Sequence, residues 1–69
     1  MDIRFTYHAK YRMNKRKITE DEVVITIKNP DKTIKKEGKY YAPKNIGRAK
    51  IEVVYQKDKY INVITLYYL

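Results

Sequence analysis

Apolar and polar positions change period twice along this chain. Ile3 to Thr6 alternate, as a short strand does. From Tyr7 to about Arg16 nothing interrupts a helix, and most of the residues are good helix formers. Ala9 and Met13, four apart, mark the stripe such a helix would bury. A second helix carries a clear start signal. Thr19 and Glu22 have the spacing of a capping box, in which the hydroxyl satisfies one orphan amide and the carboxylate reaches back to another. Ile18 before the cap can pack on Val23 as a hydrophobic staple, and Glu20, Asp21 and Glu22 suit the positive end of the helix dipole. Val23, Val24 and Ile27 supply its apolar face. Lys28-Asn29-Pro30-Asp31 ends it, because Pro30 cannot continue a helix.

The period then falls to two. Thr33 to Glu37 reads as a short strand and Gly38-Lys39 as its turn. Tyr40 to Ile46 reads as a second strand, which Pro43 confines to an edge or a bulge. Gly47-Arg48 turns again. Ile51, Val53 and Tyr55 alternate with Glu52, Val54 and Gln56, and Lys57-Asp58-Lys59 forms a tight hairpin loop. Tyr60 to Tyr68 is the longest β-run, with apolar side chains on both faces, as a central strand has. These elements predict an α+β fold in the order β-α-α-β-β-β-β, with two N-terminal helices packed on one face of an antiparallel sheet.

At 69 residues the chain allows a single domain, 1–69, with a thin core. Small domains lean on disulfides, a metal or a partner. With no cysteine and one histidine, neither a disulfide nor a zinc site can be built, so a partner chain or a homodimer becomes the expectation, and no metal is expected. No cofactor is expected either: there is no Gly-rich phosphate loop. There is also no serine, hence no Ser-His-Asp triad. Lys and Arg number 16 against 8 Asp and Glu, a net +8 that attracts polyanions. Nucleic acid is the first target this suggests, with an anionic membrane or an acidic protein next. A charge-rich solvated surface is the plain alternative. The opening Met1-Asp2-Ile3-Arg4 lacks the apolar run of a signal peptide, and no stretch approaches a membrane span, so the expectation is a cytoplasmic protein with no membrane contact.

Two groups of residues could carry chemistry. His8, Arg12 and Arg16 recur every four positions and share one helical face, bordered by Tyr11 and Lys15. Guanidinium groups give paired planar donors to phosphate oxygens, and an imidazole can move a proton near neutral pH. The same spacing also describes a solvated basic face with His8 as a hydrogen-bonder at the helix start. Lys32, Lys35, Lys36, Lys39, Lys44, Arg48 and Lys50 form a second basic group, interleaved with Tyr40, Tyr41 and Tyr55. Rings beside cations can stack unpaired bases, although tyrosines also serve as amphipathic residues at the edge of a small core. Scattered carboxylates offer no metal cluster. Nuclease chemistry here would therefore be metal-independent and directed at RNA, whose 2′-hydroxyl is an internal nucleophile.

The stretch His8-Ala9-Lys10-Tyr11-Arg12-Met13-Asn14-Lys15-Arg16-Lys17-Ile18-Thr19 resembles the opening of a family of small microbial proteins with the pattern His-Ala-x-x-Arg-Met-x-x-Arg-Gly-Ile-Ser. That family is linked to the RelE-like toxin nucleases of the barnase–EndoU–colicin–RelE superfamily. Asn29-Pro30, Gly47-Arg48, Val53-Val54-Tyr55 and Val63-Ile64-Thr65 also fit, so the resemblance covers nearly the whole chain. It implies a RelE-like fold and a metal-independent endoribonuclease of toxin–antitoxin type, with RNA as substrate and an acidic antitoxin protein as partner. It places His8, Arg12 and Thr65 in the catalytic site. Arg16, Lys15, Arg48 and Tyr55 complete the expected nucleic-acid surface. A non-catalytic nucleic-acid-binding module and a basic interaction protein with an acidic partner are the alternatives. Lys17 stands where the family pattern has Gly, so the turn between the helices is expected to be made differently.

Overall fold

The computed structural model describes residues 2–69. The elements follow the predicted order: β1 (Ile3–Phe5), α1 (Tyr7–Arg16), α2 (Glu20–Lys28), β2 (Ile34–Lys36), β3 (Lys39–Asn45), β4 (Lys50–Lys57) and β5 (Ile61–Tyr68). The protein is an α+β fold, with two helices packed on one five-stranded sheet in the order β1-β5-β4-β3-β2. β2 to β5 form the expected antiparallel meander. β1 instead joins β5 in parallel, with Ile3 opposite Ile61 and Phe5 opposite Val63, so the sheet is mixed. Parallel pairing needs a long crossover, and the rest of the chain supplies it. β5 is thereby an inner strand, with β1 on one side and β4 on the other.

The core lies between the helices and one sheet face. Ala9, Ile18, Val23 and Ile27 from the helical layer meet Ala42, Ile51, Val53, Tyr55, Ile61, Val63 and Leu66 from the strands. The capping box forms as read: the Glu22 N–H donates to Thr19 Oγ1 at 3.1 Å and the Thr19 N–H to Glu22 Oε1 at 2.9 Å. Ile18 and Val23 are both buried, as the staple requires. The turn between the helices corrects the expectation drawn from Lys17. Lys17 itself takes the left-handed conformation, φ 58° and ψ 44°, and the Ile18 N–H closes on the Met13 carbonyl at 3.0 Å. This is the six-to-one bond of a Schellman cap, made with a lysine where glycine is the unstrained choice.

Two further differences are local. The β2–β3 turn is Glu37-Gly38, one position earlier than predicted, with both residues at positive φ, as a two-residue hairpin with the right twist demands. Pro43 sits in β3 past the end of β2, where the Asp31 N–H donates to its carbonyl at 3.0 Å, so its missing N–H breaks no ladder bond. One irregularity bears on the site. Val54 pairs with Thr65 but Tyr55 pairs with Val63, which leaves Ile64 as a one-residue bulge in β5.

Candidate nucleic-acid interface

α1 is fastened to β5 at its start. Thr6 caps it by accepting the Ala9 N–H at 3.1 Å, donates its hydroxyl to the Ile64 carbonyl at 2.9 Å, and donates its own N–H to the Val63 carbonyl at 3.0 Å. Buried Ala9 and core-packed Met13 then fix the rotation of the helix. With that rotation set, the 3.6-residue period puts His8, Arg12 and Arg16 along one flank. His8 and Arg16 are exposed and Arg12 is half-buried at the margin. Lys15 is exposed beside them, its ammonium 5.8 Å from the centre of the Tyr11 ring. α1 contains no carboxylate. The ion pairs among the described residues are Arg4–Asp2, Lys44–Asp31 and Arg48–Glu22, so Arg12 and Arg16 keep their charge for an external anion. Of the predicted catalytic and phosphate-binding residues, the structure brings these three together.

Arg48 does not join them. Its Nε and Nη2 donate to the two Glu22 carboxylate oxygens at 2.8 Å each, its Nη2 also to the Lys17 carbonyl at 2.9 Å, and its Nη1 to the Tyr68 hydroxyl at 3.0 Å. The Tyr68 hydroxyl in turn donates to the Arg16 carbonyl at 2.7 Å. Arg48 therefore satisfies the carbonyl end of α1 and clamps the first turn of α2. The guanidinium holds the Glu22 carboxyl down to about 2, and the Thr19 amide adds to this. The same pairing raises the Arg48 pKa. His8, in the first turn of α1, lies about 13 Å along the helix axis from Lys17, which Arg48 touches, so one phosphate cannot bridge them.

Two other predicted residues are placed elsewhere. Tyr55 is buried in the core at 7% exposure, stacked on Tyr40 with ring centres 5.2 Å apart and planes 10° from parallel. Burial pushes its hydroxyl pKa up. It cannot receive a base, which corrects its assignment to the nucleic-acid surface. Thr65 pairs with Val54, while neighbouring Leu66 pairs with Val53 in the core. Since adjacent residues of a strand face opposite sides, Thr65 lies on the sheet face away from the helices. The bulge at Ile64 puts it there, and the layer carrying His8 is not the one it faces. The second basic group is dispersed: Lys35 and Lys36 lie in β2, Lys39 and Lys44 in β3, Lys50 in β4 and Arg48 in the β3–β4 loop, so its strand members span two strand spacings or roughly 10 Å. Several of its charges are engaged: Lys44 pairs with Asp31 and Lys35 lies 5.4 Å over the Tyr40 ring.

His8 stands exposed on an open ridge of α1. A groove of about 520 Å³ lies over Phe5, Met13 and Ile18, rimmed by Lys10, Asn14 and Lys17, which occupy the other flank of α1. A smaller one, about 290 Å³, lies between α2 and the end of β3. Neither is lined by His8 or Arg12. Sequence reasoning noted Tyr11 as a border residue and passed over Tyr7, one helical turn earlier and 88% exposed. The four-residue spacing was the available signal.

The family model described as Domain of unknown function (DUF4258) matches residues 5–68. The chain belongs to this family. The DUF4258 match runs from the last residue of β1 to the last residue of β5, so it takes in both helices, the α1 flank and the Arg48 clamp. Neither a curated protein nor a solved structure matches the chain. Among the described residues, no helix is long and apolar enough to cross a membrane.

Proposed function

We propose that this domain binds the RNA backbone along the His8–Arg12–Arg16 flank of α1 and cleaves it there without a metal ion, as a toxin-type endoribonuclease. The observation that carries this reading is one carboxylate-free flank on which an exposed imidazole stands one turn from an unpaired guanidinium. In the proposed step, His8 takes the proton of a 2′-hydroxyl and that oxygen attacks the adjacent phosphorus. The bond from phosphorus to the 5′-oxygen breaks. The leaving oxygen takes a proton from water and the imidazolium of His8 returns its own to solvent, giving a 2′,3′-cyclic phosphate and a 5′-hydroxyl end. Arg12 supports the charge on the non-bridging oxygens, and Arg16 holds the next phosphate. An acidic antitoxin covering this flank, and a cytoplasmic location, go with the same reading.

The test is incubation with RNA in the presence of a chelator, comparing wild type with His8→Ala. Cleavage should disappear in the variant while binding persists. A second reading, a non-catalytic RNA-binding module, is favoured by the openness of the ridge, because charge stabilisation is strongest where water is excluded. Binding without cleavage by the wild type would select it. Failure to bind RNA at low salt would overturn both and leave a basic surface matched to an acidic protein.

A further inference from the structure

The eight tyrosines divide by what touches them. Tyr40 and Tyr55 stack on each other, and Tyr60 lies under the Arg4 guanidinium at 4.0 Å. Tyr67 donates to Glu52, Tyr68 is held between Arg48 and the Arg16 carbonyl, and Tyr41 is half-buried in β3 opposite Val54. Tyr7 and Tyr11 are different. They are 88% and 52% exposed; the Lys15 ammonium, from the same helix, lies 5.8 Å from the centre of the Tyr11 ring and leaves about half of Tyr11 open. Tyrosine is only a middling helix former, so helix propensity does not explain two of them on an open face.

Their positions are systematic. Tyr7, Tyr11 and Lys15 each precede by one residue His8, Arg12 and Arg16. The helix therefore carries two parallel rows about 100° apart, one of rings ending in a lysine and one of cations. Both rows repeat every four residues, a rise of about 6 Å. That rise is comparable to one nucleotide step along an extended strand. Aromatic faces beside a cationic track are the two parts of a single-strand site, where bases stack on rings and phosphates follow the charges.

We infer that Tyr7 and Tyr11 are base-stacking platforms, and that the ligand of the α1 flank is single-stranded RNA lying along the helix with its bases on the two rings. This rests on the RNA-backbone reading above. It makes recognition of the strand tolerant of sequence, since every base has a π-face, and directs it against duplex, whose bases are already stacked.

The experiment is a fluorescence-anisotropy titration with three 2′-O-methyl probes, which cannot be cleaved through the 2′-hydroxyl. These are a mixed-sequence single strand, the same strand annealed to its complement, and an abasic sugar–phosphate strand of equal length. Wild type should prefer the single strand to the other two. Tyr7→Leu and Tyr11→Leu should each weaken single-strand binding roughly ten-fold, leave abasic binding and the salt slope unchanged, and keep the wild-type circular dichroism. The Tyr→Phe variants should bind as wild type. Leu variants that bind the single strand as tightly as wild type, while Arg12→Ala still weakens it, would overturn the stacking inference and leave the phosphate reading standing. No binding of any probe at low salt would overturn both.

Discussion

Arg12 and Arg48 are the same side chain in two regions of one small protein, and they have opposite fates. Arg48, in the β3–β4 loop, spends every nitrogen on internal acceptors: a carboxylate, a carbonyl and a phenol. Arg12 and Arg16, on α1, have no acidic neighbour on their own helix and no ion pair among the described residues. A net charge of +8 does not distinguish them. What distinguishes them is where the carboxylates fall. Glu22 is held at the start of α2 by its capping box, within reach of the β3–β4 loop and not of the α1 flank. A basic protein is thus best read by subtracting the cations already answered inside the fold, and asking where the remainder lies together.

That contrast can be broken experimentally, beginning with the largest effect. Arg12→Ala combined with Arg16→Ala should lower RNA affinity at least ten-fold at low salt and reduce the slope of log affinity against log salt by about 1.4, the share of two single-strand phosphate contacts. Its melting temperature should stay near wild type, and a large drop would show that these arginines are structural after all. Arg48→Ala should do the reverse. Its melting temperature should fall by several degrees in thermal denaturation, because two helix ends lose their partner together, while the salt slope of RNA binding holds. A changed slope would return Arg48 to the interface.

Acid sharpens the same comparison. The Glu22 carboxyl is lowered from 4.5 to about 2 in the folded protein. A depressed folded value means that this stabilisation is fully present above pH 4.5 and is lost as pH falls toward 2. Chemical denaturation followed across that window should show wild type losing stability that Glu22→Gln has already lost, so the two curves converge at low pH. Curves that stay parallel would mean the Glu22–Arg48 pair contributes nothing. The smallest effect concerns the cap. Lys17→Gly should stabilise the protein by about 1 kcal/mol, since a non-glycine residue in the left-handed region is strained. It should leave RNA binding almost unchanged, as Lys17 lies on the other flank of α1.

How legible each of these was depended on how local its cause is. The capping box, the staple and the order of seven elements are written in neighbouring residues, and all are present. The parallel register of β1 on β5 joins positions 58 apart, and nothing in Ile3–Phe5 announces its partner. Burial of Tyr55 was legible in principle, because it alternates in phase with Ile51 and Val53, and a stacking role for it ran against that alternation. The face of Thr65 was not legible. Strict alternation from Ile61 and Val63 carries Thr65 toward the helices, and the single extra residue at Ile64 reverses it. Within the candidate site, the four-residue spacing of His8, Arg12 and Arg16 needed only α1 and its buried stripe. Arg48 needed the position of Glu22 in space, which spacing along the chain does not carry.

The fastening of α1 at both ends has a consequence for the entropy of recognition. A helix of ten residues is marginal in isolation and frays from its termini. Here Thr6 ties the first turn to Val63 and Ile64, and Arg48 with Tyr68 ties the last carbonyls to the opposite end of the sheet. The backbone beneath His8, Arg12 and Arg16 is therefore ordered before any ligand arrives. Its spacing is the helical rise, not an average over a mobile loop. A strand docking on this flank has to restrict only the side chains it touches, and the ordering cost of the scaffold has already been met during folding.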